Sequence, residues 1–139
     1  MQDKIEIYGE DYDERLSVIF ADPQFLLPNL LGALNVEVNG NDFKAEIPMS
    51  ILFGRGTFLI HGKIFTSLNS ITYVINVAGY GPDKGGKIRI DFNKNVIKID
   101  ISLNIPAETL NGRIIKGKVK EFKSNANELI RLERIKRKI

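Results

Sequence analysis

The sequence predicts an α+β fold: a curved antiparallel sheet of about seven strands around one long C-terminal helix, with two short helices after the first strand. Three observations carry this. From Leu34 to Ile105 apolar and polar residues mostly alternate, as in strands with one buried face. From about Ile114 to Ile139 the apolar residues recur every three or four positions, as on an amphipathic helix. The gaps between strand candidates are too short for the crossovers that parallel strands need, so the sheet is an antiparallel meander.

In chain order, Lys4 to Tyr8 alternates with Ile5 and Ile7 on one face and reads as the first strand. Glu10-Asp11-Tyr12-Asp13-Glu14 then supplies capping oxygens and negative charge ahead of Leu16, Val18, Ile19 and Phe20, a first short helix. As a calcium loop this stretch lacks the turn glycine and the later glutamate of an EF-hand. Pro23 ends that helix near Ala21-Asp22, because proline disfavours helical geometry in the preceding residue. Asp22 caps a second short helix, with Pro23 in its first turn, Phe25, Leu26, Leu27, Leu30 and Leu31 as apolar contacts, and Gly32 as its stop. Pro28 predicts a kink or an irregular turn within it.

Six further strands are expected over Leu34–Val38, Phe43–Ile51, Thr57–Thr66, Ile71–Gly79, Lys87–Phe92 and Val96–Ile105. Asn39-Gly40 is a hairpin signal, Leu68-Asn69-Ser70 and Asn93-Lys94-Asn95 are short reversals, and Gly81–Gly86 is a longer loop. Ile97, Ile99, Ile101, Leu103 and Ile105 share one face, opposite Lys98, Asp100, Ser102 and Asn104. Ile88, Ile90 and Phe92 repeat the pattern, as do Phe58, Ile60 and Ile64, and Ile71, Tyr73, Ile75 and Val77. A charged outer face means that the sheet is covered on one side only. The closing helix is the cover. It presents Ile115, Val119, Phe122, Ala126 and Leu129, prolonged by Leu132, Ile135 and Ile139, with Thr109 or Asn111 as candidate cap. Gly112 and Gly117 mark a late start, a bend or a close approach. The seam is short for a self-associating coiled coil, so packing on the sheet is preferred.

Composition narrows the function classes. A length of 139 residues fits a single domain over 1–139, and an apolar share of 43% fits a folded protein. The chain has no cysteine, which excludes disulfide scaffolds, thiolate metal sites and cysteine nucleophiles. No apolar run reaches the roughly 18 residues of a membrane span. Charges at Asp3, Lys4 and Glu6 stand where a signal peptide would carry its apolar core, so the expected location is the cytoplasm. The last nine residues hold five cations against one acid, a balance of +4, which leaves the rest at −1 of the +3 total. Cations suit a helix C-terminus, and without interleaved aromatics or a wider basic face this is a solvated helix end rather than a nucleic-acid surface.

Reactive groups are few. His61 is the single histidine, on a strand and in phase opposite to Ile60 and Ile64, so it reads as exposed or edge-facing rather than as a general base. No nucleophile elbow or zinc-binding helix motif occurs, and no metal ligands, cofactor motif or catalytic residues are assigned. The glycines of Gly54-Arg55-Gly56 and Gly79–Gly86 match no phosphate-binding spacing and read as turns. Tyr73, among Ile71, Ile75 and Val77, is the better polar candidate, either orienting a ligand by one hydrogen bond or bonded to backbone as a core tyrosine.

The order strand, two short helices, six antiparallel strands, long helix resembles the helix-grip fold of the START, Bet v 1 and polyketide-cyclase superfamily, often called SRPBCC. Val18-Ile19-Phe20-Ala21-Asp22-Pro23-Gln24-Phe25-Leu26-Leu27-Pro28 is similar to its helix pair with the intervening Asp-Pro turn, and Val36 to Phe43 to the hairpin that follows. Asp22 to Pro28, Tyr73 and the ending Arg131 to Ile139 resemble a small uncharacterised family from thermoacidophilic archaea. The resemblance implies a cavity between sheet and C-terminal helix, used in the superfamily for lipids, sterols, polyketides and other apolar molecules. Two functions follow. One is a binding or carrier protein for a lipid-like or aromatic molecule, its cavity lined by Phe25, Phe58, Ile60, Tyr73, Ile75, Ile90, Phe92, Ile101, Leu103, Val119 and Phe122. The other is a cyclase or aromatase in which Tyr73, His61 or an acid moves a proton. The shortage of paired ionisable residues on inward faces favours binding. A protein-interaction module would instead expose an apolar patch on the helix pair or sheet edge, and a densely packed interior would remove the cavity altogether. The oligomeric state is left open, a homodimer included.

Overall fold

The computed structural model describes residues 1–51 and 54–139. The elements are β1 (Gln2–Tyr8), a single 3-10 turn (Glu14–Leu16), α1 (Ser17–Phe20), α2 (Pro23–Leu31), β2 (Leu34–Asn39), β3 (Asp42–Ile51), β4 (Gly54–Thr66), β5 (Ser70–Val77), β6 (Gly85–Asn93), β7 (Val96–Asn104) and α3 (Glu108–Arg137). All seven strands join one antiparallel sheet in the order β1-β7-β6-β5-β4-β3-β2. The meander from β2 to β7 is therefore sequential, and β1 closes on its far edge through pairs such as Ile5 with Ile99. Alternation sets the faces as expected: along β5, Ile71, Tyr73, Ile75 and Val77 are buried and the residues between them only partly so. The architecture is the helix-grip one, with a curved sheet, a long C-terminal helix and short helices after the first strand.

The helix pair follows its local chemistry. Asp13 caps the 3-10 turn by accepting from the Arg15 amide, as the acids before α1 led one to expect. Asp22 accepts from the Gln24 amide, Pro23 opens α2, and Gly32 closes it in the left-handed conformation (φ 72°). Pro28 lies inside α2 without ending it. Its missing hydrogen bond is offset by caps at both ends and by the burial of Phe25, Leu26, Leu27, Leu30 and Leu31.

Three expectations are corrected. Ala107, left-handed at φ 50°, holds the N-cap of α3 with no side-chain cap, so Thr109 and Asn111 lie inside the helix. The buried stripe of α3 runs Ile115, Val119, Phe122, Ala126 and Ile130, while Leu132, Ile135 and Ile139 are exposed. Beyond Ala126 the helix lies beside the Tyr12 loop, and Tyr12 Oη donates to Asn127 Oδ1 at 2.8 Å, which favours Ile130 over Leu129 for full burial. Gly85 and Gly86 open β6, and Gly54 and Gly56 lie in β4, so these glycines belong to strands rather than turns.

The strand glycines let the sheet curl. Phe43, Gly62, Ile75, Gly86 and Leu103 form one row across β3 to β7. A Cβ on Gly62 would sit 1.8 Å from the Val74 carbonyl oxygen, and one on Gly86 would sit 2.0 Å from that of Ser102. Backbone of neighbouring strands occupies the space a side chain would need, so large residues and bare backbone alternate along the row. Above the row, Phe20, Phe25, Phe92 and Phe122 meet edge to face with centroids 5.6–6.4 Å apart, joining α1, α2, β6 and α3.

The C-terminal end of α3 is clasped rather than freely solvated. Arg137 Nη2 lies 2.6 Å from Asp22 Oδ2, and its Nη1 donates to the Val18 carbonyl at 3.4 Å. Asp22 thus caps α2 with one oxygen and holds α3 with the other.

Candidate functional site

The space between sheet and α3 is nearly full. Its void measures about 20 Å³ and is apolar throughout, lined by Leu31, Ile47, Met49, Phe58, Ile60, Ile75, Val77, Gly85, Leu103, Ile105, Pro106 and Ile115. A drug-sized ligand needs roughly 300 Å³ or more. Of the residues expected to line a cavity, Phe58, Ile60, Ile75 and Leu103 border this void. Phe25, Tyr73, Ile90, Phe92, Ile101, Val119 and Phe122 do not border it; all are buried in the packed core.

Tyr73 is fully buried and donates to the Phe20 carbonyl at 2.6 Å, tying β5 to the end of α1. Its single proton is thereby committed to backbone. Burial first, and the charge of Asp22 second, push its pKa well above the ordinary value of about 10. The sign follows: the fold holds the neutral phenol, so this contribution is intact below pH ~10 and is lost as the unfolded chain begins to ionise. Denaturant unfolding should show stability falling above pH ~10 at up to about 1.4 kcal/mol per pH unit from this group. Tyr73→Phe should flatten that fall; an equal slope in the variant would contradict the assignment.

His61 lies exposed on the outer face, opposite Lys44 and Asn76. Tyr73 and His61 therefore stand on opposite faces of the sheet. Among the described residues no group of three or more carboxylates and histidines is placed to hold a metal, and no helix is long and apolar enough to cross a membrane.

Where the helix and sheet part, a cleft of about 520 Å³ opens between α3, the end of α2 and the β3–β4 strands. Leu31, Gly32, Pro48, Met49, Ser50, Arg55, Gly56, Leu110, Ile114 and Lys118 line it. Leu31 and Met49 border both this cleft and the inner void, so one apolar surface runs from solvent toward the core. Leu110 leaves half its surface exposed there (51%).

Asn111 holds the cleft together. It is fully buried, accepts from the Ser50 amide at 2.8 Å, and donates to the carbonyls of Ser50 (3.0 Å) and Pro106 (2.8 Å). Its carboxamide meets both backbone groups of Ser50, as a neighbouring strand residue would, and fixes the first turns of α3 to the end of β3. The signal for it was present in the pattern: Asn111 stands four residues before Ile115, on the buried stripe. The mouth residues Arg55, Leu110 and Lys118 carried no such signal, because exposed positions have no period of their own.

A larger depression, about 870 Å³, lies on the outer face of the sheet, with Glu37, Asp42, Lys44, His61, Lys63, Phe65 and Val74 among its lining residues. Its volume exceeds that of the mouth, but its charges are mixed and none of its lining residues borders the interior void.

A family model matches the chain from end to end, over residues 1–139. Among solved structures, a hypothetical protein from Sulfolobus tokodaii superposes with a TM-score of 0.79 at 22% identity, covering 99% of both chains. A conserved protein from Geobacillus kaustophilus gives 0.56 at 18% identity, over 97% of this chain and 94% of its own. An HSP90 activator from Plasmodium falciparum gives 0.55 at 20% identity, over 94% and 96%. No curated protein matches the chain. A family match from end to end, a Sulfolobus protein of the same fold over its full length, and a sheet closed on one C-terminal helix converge: the chain has the helix-grip fold.

Proposed function

We infer that the chain binds an apolar small molecule at the mouth of the grip, in the cleft between α3, the end of α2 and the β3–β4 strands. The observation that supports this most is the continuous apolar wall of Leu110, Ile114, Leu31 and Met49, which leads from solvent to the small void behind it. The cleft volume of about 520 Å³ lies in the range of small-molecule sites. The deep core is packed, so binding draws on the cleft itself, behind which Phe58, Ile60, Ile75 and Leu103 line the small void. Removal of apolar surface from water, at roughly 25 cal/mol per Å², supplies the affinity.

Titration with an uncharged apolar fluorophore such as N-phenyl-1-naphthylamine tests the reading. Ile114→Asp and Leu110→Asp, both outside the packed core, should each weaken binding roughly ten-fold. Unchanged affinity in both variants would move the ligand elsewhere, and no binding by the parent chain would remove the function. A second reading, a protein-interaction surface, draws on the exposed Val38 and Phe65 at the outer depression. A cyclase reading has less behind it, since Tyr73 is engaged with backbone and His61 faces away from the interior.

A further inference from the structure

We propose that the molecule taken up at the mouth is an amphiphile with a single anionic head, a carboxylate in its simplest form, held between Arg55 and Lys118. This rests on the mouth being the binding site and adds polarity to it. Arg55 and Lys118 are the charged residues of the cleft wall, and both are cations. Neither makes an ion pair among the described residues. They come from different elements, Arg55 from β4 and Lys118 from α3, and face one cleft whose remaining side chains are mostly apolar.

Lys118 is also positioned. Its stem crosses the end of α2, where a Cβ on Gly32 would lie 3.2 Å from its Cε, so its ammonium is carried at the rim rather than away from it. The wider field has the same sign. From Arg113 to Lys123, α3 carries Arg113, Lys116, Lys118, Lys120 and Lys123 against the single acid Glu121. The outer depression differs here: Glu37 and Asp42 share it with Lys44 and Lys63, and Lys63 lies 3.5 Å from Asp42. A tail resting on Leu110, Ile114 and Met49 with its head between two unpaired cations satisfies both halves of the mouth. A wholly apolar molecule would leave Arg55 and Lys118 to water alone.

Calorimetric titration with decanoate and with decanol separates the possibilities, using the full chain at low salt. Decanoate is expected to bind roughly ten-fold tighter than decanol. The double variant Arg55→Gln/Lys118→Gln should lose roughly ten-fold in decanoate affinity and change decanol binding by less than about two-fold. Added salt should weaken decanoate binding only. The exchange variant Arg55→Lys/Lys118→Arg, which keeps both charges, should retain the preference. Equal binding of the two ligands, or decanoate binding indifferent to the double variant, would overturn the anionic head while leaving the apolar mouth in place. Binding of neither would overturn both.

Discussion

Phe122→Ala is expected to destabilise the chain by about 3–5 kcal/mol, the largest effect of any single truncation on α3. Phe122 is fully buried, stacks edge to face on Phe25, and through Phe25 reaches Phe20 and Phe92. Removing its ring takes away transfer energy and leaves a void that four separate elements would have to close. They are held in place by capped helices and a bonded sheet, so relaxation is limited and the cavity cost is retained. Urea unfolding monitored by circular dichroism measures the loss. The same variant should gain an apolar chamber, and benzene should raise its melting temperature while leaving the parent unaffected. A loss below about 1 kcal/mol would mean that Phe122 stands off from its neighbours instead of packing on them.

Gly62→Ala is expected to cost at least about 3 kcal/mol, although it adds one methyl group. The added carbon would lie 1.8 Å from the Val74 carbonyl oxygen and 2.8 Å from the Phe43 ring. The ring can turn aside. The carbonyl cannot move without disturbing the β4–β5 ladder, in which Gly62 faces Ile75. Gly117→Ala is the internal comparison: among the described residues nothing lies within 4 Å of its added carbon, and alanine in an exposed helix position should stabilise by up to about 1 kcal/mol. Unfolding midpoints for the two variants should therefore move in opposite directions. A Gly62→Ala chain as stable as the parent would remove the steric account of the curl.

The sheet and its inward faces were legible because period-two alternation is dense from Leu34 to Ile105, and each face has one chemistry. Asp22, Pro23 and Gly32 bounded α2 because capping is local and each residue type has one strong reason to be there. The start of α3 was not legible, since Ala107 caps it by backbone conformation alone. Gly85 and Gly86 were misread because a glycine needed for a turn and one needed for close strand approach look alike without neighbours in view. Arg137 looked like part of a solvated basic tail; its partner Asp22 is 115 residues away, a distance over which pattern is silent. For the candidate site, the apolar residues lining the small void were recoverable from alternation. Whether those side chains enclose a space or fill it depends on summed volumes and curvature, which no periodicity records.

The fastening of α3 has a kinetic side. Asn111 fixes its first turns to Ser50, Tyr12 holds it at Asn127, and Arg137 locks its end to Asp22. A helix held at both ends and wedged in the middle by Phe122 has no low-cost rocking motion about either terminus. Breathing at the mouth then falls to side-chain rotation, on a picosecond-to-nanosecond scale at the exposed Leu110. A molecule arriving there would be admitted at the speed of rotamers, and would leave without waiting for the fold to open.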